Sequence, residues 1–250
     1  MTNHVMLSPD QHQNVRVSQV RSKDMGDAVM CTLTFPAEFR EIQAHYPILF
    51  QRDDKTMRHY PVALFGFQPG ENCFLTNEGW DADYIPAMIQ KDPFFIGLQK
   101  KAEGEDPQRV VTLDMDSPRV NADEGEALFD GAGAYTPYLD KMMAILEGID
   151  EGYQHTELFI DALADHDLLE QVTMQINLTD GSANQLLGFY TINQDKLQQL
   201  TGDVLEEFSK KGFLAPIFMA IASMVRMRDL IKRKEAQLSS ASLENPLFDI

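Results

Sequence analysis

The chain has 250 residues and carries 39 acidic against 21 basic side chains, a formal net charge of −18 at neutral pH. That balance excludes phosphate-backbone binding as its main task and disfavours anionic lipid surfaces. Hydrophobic residues make up 44% and charged residues 24%, so the composition is that of a globular protein with a sizeable core and not of a disordered one.

The first residues, MTNHVMLSPDQHQNVRV, contain neither a basic stretch nor an apolar one, so no secretory signal is legible and a cytoplasmic location is expected. The first third then reads as short strands joined by tight turns. Residues 28–35, AVMCTLTF, are β-rich and stop at Pro36. PAEFREIQAHY predicts a helix opened by Pro36, with Phe39, Ile42 and Tyr46 on one side and Pro47 at its end. Two apolar runs around RDDKTMRH predict a hairpin, and PGENCFLT a further turn and strand. YIPAMIQKDP is a short helical turn closed by Pro93, and FFIGLQ a strand.

Past Lys100 the character changes. KKAEGEDPQ is a polar loop and RVVTLDM a strand. DSPRVNADEGEALFDGAGAYTP is an acidic connection long enough to be either functional or mobile. Thr136 then caps a helical segment with Pro137 at its first position and Leu139, Met142, Met143 and Leu146 in helical spacing. A break near Gly148 or Gly152 would split it in two. QVTMQINLTDGSANQLLGFYTI is a hairpin about Asp180-Gly181, with Val172, Met174, Ile176 and Leu178 facing one side. Two short helices follow, the second ending at Gly212. A last helix covers about 214 to 236, where Arg226, Arg228, Lys232, Arg233 and Lys234 favour its C-terminal dipole end. Its apolar run, GFLAPIFMAIASMVRM, is too short to span a bilayer. No internal repeat or low-complexity segment interrupts the chain.

Chemistry-bearing residues are sparse. Cys31 and Cys73 sit in strand-like runs without a Cys-x-x-Cys pair, so they read as buried reduced thiols and not as a zinc or redox site. His45 and His59 each open a His-Tyr-Pro triplet, which fits turn packing. Glu157, Asp161 and Asp165 share a helix face with His155 and His166 nearby, a solvated face or a weak cation site. DGAGAY lacks the strand and third glycine of a phosphate cradle, although its amides precede a helix and could meet an anion. No Gly-x-Ser-x-Gly elbow exists. The densest mixture is NEGWDADYIPAMIQKDPF, residues 77–94. There Trp80, Asp81, Asp83 and Tyr84 either line a ligand pocket or serve as turn, cap and aromatic anchor. No catalytic residue, metal site or cofactor is predicted. The candidate ligand-binding residues are Trp80, Asp81, Asp83, Tyr84, His45 and His59.

Six blocks in fixed order resemble the SapC family of bacterial proteins: LTFPAEF, YPVALFGFQPGENCFL, GWDADYIPAMIQKDPFFIGL, DEGEALFDGAGAYTPYL, LLGFYTINQDKLQQL and KKGFLAPIFMAIASMVRM. The resemblance runs from about residue 5 to 235. The family is named for a surface-layer-associated protein. It implies a gene neighbourhood of flavin-dependent tryptophan-halogenase-like enzymes, cupin-like oxygenases and TonB-dependent receptors, and it supplies no catalytic residue. A permease sharing the name would need several membrane spans, which this chain lacks.

The expected fold is a single α+β domain over residues 1–236. Antiparallel strands and hairpins fill its N-terminal half, helices and a β-hairpin its C-terminal half, and a loose tail covers 237–250. The expected function is a soluble, non-catalytic accessory or interaction protein beside a halogenase-like or oxygenase enzyme. The alternative is an enzyme or small-ligand binder with a pocket near Trp80. A halogenase-like or oxygenase partner and a homo-oligomer are the partners considered, and the apolar residues of NPLFDI could dock on a partner or a second copy.

Overall fold

The computed structural model describes residues 3–99 and 108–244. In chain order the first elements are β1 (His4–Met6), α1 (Pro9–His12), β2 (Arg16–Val17), β3 (Cys31–Leu33), α2 (Phe39–His45), β4 (Ile48–Arg52) and β5 (His59–Leu64). Next come β6 (Leu75–Thr76), β7 (Gly79–Trp80), α3 (Ala87–Gln90), β8 (Phe94–Gln99), β9 (Gln108–Asp114), β10 (Val120–Asn121) and β11 (Glu126–Ala127). The remainder is α4 (Pro137–Asp165), β12 (Leu169–Asn177), β13 (Ala183–Ile192), α5 (Gln194–Gln198), α6 (Gly202–Lys210), α7 (Leu214–Ser223) and α8 (Arg226–Glu244). The class is α+β with antiparallel pairing throughout, as expected.

Within this fold the chain forms two compact units, Met1–Asp27 with Ala87–Glu151 and Ala28–Pro86 with Gly152–Ile250. In the first, β1, β9 and β8 pair in that order, with Val5 opposite Leu113 and Ile96 opposite Val111. Strand β2 lies between β10 and β11. Leu139, Met142 and Leu146 recur at helical spacing on the early part of α4 and pack with Val17, Phe94, Leu113, Leu128 and Phe129 into one apolar core. The connection expected to be functional or mobile is thus tied down. Its β10 and β11 close on β2, and Leu128 and Phe129 are core residues.

The second unit is built on a five-stranded sheet in the order β12-β13-β4-β5-β3. The hairpins β4–β5 and β12–β13 form where turn chemistry demanded them. Asp53 accepts from the amides of Lys55 and Thr56, and Asp180 from the amide and hydroxyl of Ser182 beside Gly181 at φ 84°. Helix α2 packs on α7, and Phe39, Ile42 and Tyr46 are fully buried. Gly212, at φ 74°, ends α6 with the Phe213 amide bonded back to the Phe208 carbonyl.

Five expectations change. Helix α2 begins at Phe39, because residues 36–38 form a tight turn in which the Glu38 amide bonds to the Phe35 carbonyl. Cys73 lies in the turn before β6, and Cys31 is only half-buried, although both thiols are free. Helix α4 is unbroken over 29 residues. A β-carbon at Gly152 would stand 2.7 Å from Cγ of Phe35, so this glycine permits close packing instead of ending the helix. The last helix is two, α7 and α8, separated at Met224–Val225 where the buried Ser223 hydroxyl accepts from the Ile48 amide at 2.8 Å. Helix α8 continues to Glu244, so Arg226 to Lys234 occupy its first half and not a C-terminal dipole end, and residues 237–244 are helical instead of loose tail. NPLFDI, Lys100 to Pro107 of the polar loop, and the docking idea for the tail lie outside the described residues. Among the described residues no helix is long and apolar enough to cross a membrane.

Candidate functional site

The residues singled out around Trp80 belong to the second unit, and the chain's turns bring two of them, Trp80 and Tyr84, onto one hydrogen-bonded line with Tyr46, Glu38 and Thr34. The short β6–β7 hairpin, which turns at Asn77-Glu78, carries Trp80 against Phe74 in a near-parallel stack (16°, 6.4 Å) and edge-on against Phe65 at 5.1 Å. Its indole Nε1 donates to Oη of Tyr46 at 2.8 Å. The Tyr46 hydroxyl donates in turn to the carbonyl of Tyr84. The Tyr84 hydroxyl donates to Oε1 of Glu38 at 2.7 Å, and Thr34 Oγ1 donates to Oε2 of the same carboxylate at 2.8 Å. Burial raises both tyrosines above the ordinary phenol range, with the Glu38 carboxylate adding to the shift of Tyr84, so neither phenol is poised to lose a proton near neutral pH. Trp80 and Tyr84 are thus each held by ring contacts or hydrogen bonds to their neighbours.

The aspartates do something else. Asp81 is exposed and forms an ion pair with Arg233, whose guanidinium also lies 4.5 Å over the Phe74 ring. One residue on, Lys234 binds Glu71 at 2.5 Å, and the other oxygen of Glu71 accepts from the Phe67 amide at 2.6 Å. The basic residues of α8 therefore hold the 67–81 segment. Asp83 is exposed. His45 ends α2 with its ring 5.9 Å from that of Tyr46, tilted and half-buried.

His59 stands apart, on β5. It lines a half-open cavity of about 160 Å³ between β3, β5 and the later part of α4, whose walls include Leu33, Phe35, Pro61, Tyr153 and Ile160. Its ring meets Tyr190 edge-on at 4.5 Å, and burial together with the nearby Arg52 lowers its pKa from 6.5. Thr34, the last member of the Trp80 line, also forms part of the wall. Two cavity residues, Tyr153 and Thr156, escaped sequence reasoning. The only signal available was their spacing on the helix opposite β5, and the expected break at Gly152 hid it.

The acidic helix face proves to be a counter-charge. Arg58 reaches Asp161 at 2.6 Å and Glu157 at 3.4 Å. Among the described residues no cluster of three His, Cys, Asp or Glu side chains could hold a metal ion. The Gly-x-Gly loop is equally committed, since the Asp130 carboxylate accepts from the amides of Ala132 and Ala134. Burial lifts the Cys31 thiol to about 11 and the Cys73 thiol to about 12, which makes both poor nucleophiles at neutral pH.

A last feature is an uncovered helix face. Helix α7, LAPIFMAIAS, is apolar on every side, and such a helix is ordinarily enclosed. Pro216, Ile217 and Ala220 are buried, yet Ala215, Phe218, Ala222 and Val225 lie exposed at spacings of three and four, with Phe218 56% and Val225 54% accessible.

The family model that matches this chain is that of SapC, over residues 7–230. No curated protein and no solved structure matches it at a significant level.

Proposed function

This chain belongs to the SapC family, and from that membership and the geometry above we propose that it is a non-catalytic accessory protein docking on a partner through the outer face of α7. The observation that carries the reading is the exposed stripe of Ala215, Phe218 and Ala222 along the apolar helix α7, continued by Val225 just past its end. Exposed apolar stripes of this kind mark surfaces that a partner covers. The polar atoms of the Trp80 line support a non-catalytic role for that segment, because they are spent on one another. The family resemblance suggests a halogenase-like or oxygenase enzyme as the partner and the cytoplasm as the place.

The test is co-purification of tagged protein from the native cell, alongside Phe218→Glu/Val225→Glu. The expected result is a partner enzyme retained by the unaltered chain and lost by the variant, with the thermal midpoint unchanged. Recovery of the unaltered chain as a free monomer, or a variant that keeps the partner, overturns the reading. Sedimentation of the purified chain distinguishes a second copy from a foreign partner on the same face.

A further inference from the structure

The described part of the molecule leaves two buried side-chain polar atoms without a hydrogen-bond partner, Nε2 of His59 and Oγ1 of Thr156. Both residues line the same cavity of the second unit. Buried polar groups are nearly always paired, and an unpaired one costs on the order of 1–3 kcal/mol. That both orphans belong to residues lining one half-open cavity points to an occupant that supplies the missing partners. Thr156 is only 9% exposed, so bulk solvent does not serve it.

The cavity also describes the occupant. Its volume of about 160 Å³ is close to the roughly 150 Å³ of an engineered apolar cavity that accepts benzene. Its walls are largely apolar, and Phe35 and Tyr153 meet edge-to-face at 5.1 Å, an arrangement that receives a ring edge or face. Asp53 and Glu157 lie at the rim, and Arg58 there is paired with Glu157 and Asp161. Three hydrogen bonds from Lys55 and Thr56 hold the Asp53 carboxylate below its usual range, so it stays ionised and repels anions. A half-buried imidazole whose pKa is lowered by desolvation and Arg52, and a hydroxyl, can each donate or accept, which suits an uncharged ligand.

We infer that this cavity is a binding site for a small, uncharged, single-ring ligand bearing a hydroxyl or amine, of the phenol class, with His59 and Thr156 as its polar partners. The site is independent of the α7 face, so failure of either leaves the other standing.

The experiment titrates the full chain with phenol, benzene and benzoate by calorimetry. Saturable phenol binding about tenfold tighter than benzene, with no binding of benzoate, is the expected result. Thr156→Val keeps the side-chain shape and His59→Phe keeps an aromatic ring, slightly larger, while both remove the polar atoms. Each should reduce the preference for phenol over benzene by about tenfold and leave benzene binding in place. Should either variant fail to fold, the nitrogen resonance of the His59 imidazole in the unaltered chain decides, because phenol must shift it. No phenol binding, a phenol preference undiminished in folded variants, an unshifted His59 resonance, or a phenol-soaked crystal showing only water in the cavity overturns the assignment.

Discussion

Each unit of this protein buries a carboxylate, and the two meet it differently. In the first, Asp27 lies 2% exposed and receives the guanidinium of Arg119 at 2.6 Å, that of Arg21 at 3.2 Å and the amide of Ser22 at 2.9 Å. Arg119 is itself buried, and its Nη1 donates to the carbonyls of Val20 and Ser18. In the second, Glu38 receives the hydroxyls of Tyr84 and Thr34 at the end of a line that begins at Trp80. Charge meets charge in one place and phenol in the other. The difference teaches where each unit is brittle. Removing Asp27 strands two guanidinium charges, whereas removing one hydroxyl from the Glu38 line leaves its carboxylate or the Trp80 indole short of a single partner.

The comparison breaks most visibly at Asp27. Asp27→Ala leaves Arg119 and Arg21 facing each other without the carboxylate that pairs with both, and burial with Arg119 already pulls Arg21 below its ordinary pKa. The expected loss is about 3–5 kcal/mol in urea unfolding. A loss under 1 kcal/mol would mean that water reaches the pair.

Helix α4 offers a second contrast. Gly152→Ala drives a methyl to 2.7 Å from the Phe35 ring and should cost roughly 1–3 kcal/mol, whereas Gly148, with nothing within 4 Å, should gain about 0.5–1 kcal/mol on the same change. Opposite signs in paired thermal melts are the outcome that sustains close packing at Gly152. Equal gains at both positions would refute it.

Between those magnitudes falls Tyr46→Phe, which leaves the Trp80 indole without its acceptor. A loss of about 1–2 kcal/mol is expected, together with a shift in emission from the sole tryptophan. Unchanged emission would show that this hydrogen bond does not form in solution.

The smallest effect is the pH dependence contributed by His59. Its folded pKa lies below the unfolded value of 6.5, so between the two the unfolded chain binds a proton that the folded chain does not. Stability therefore falls as pH drops below 6.5 and is independent of this residue above it. His59→Phe should flatten that limb of the stability curve, and a limb of unchanged slope would assign it to another histidine.

Much was legible in advance where chemistry is local. Asp-Gly at 180–181 set the β12–β13 turn, the apolar runs on either side of RDDKTMRH set β4 and β5, and Thr136-Pro137 set the start of α4, where the Leu139 amide bonds to Thr136 Oγ1 at 3.3 Å. Phe39, Ile42 and Tyr46 share one face because helical spacing puts them there. At the candidate site, spacing drew Trp80 and Tyr84 together with no indication that Tyr46 and Glu38 would complete their line.

Long-range approach decided the rest. Gly152 looked like a break because a helix interior disfavours glycine, and only Phe35, 117 positions earlier, shows why it stays helical. The division of α7 from α8 coincides with a hydroxyl bonded 175 positions away, at Ile48. His59 and Thr156 come together because β5 and α4 form one cavity between them. Sequence by itself determined turns, caps, faces, net charge and the family, since each depends on neighbouring residues or on their order along the chain. Tertiary structure alone decided which faces are covered and which polar atoms find partners, because those depend on groups that meet only after the chain has folded.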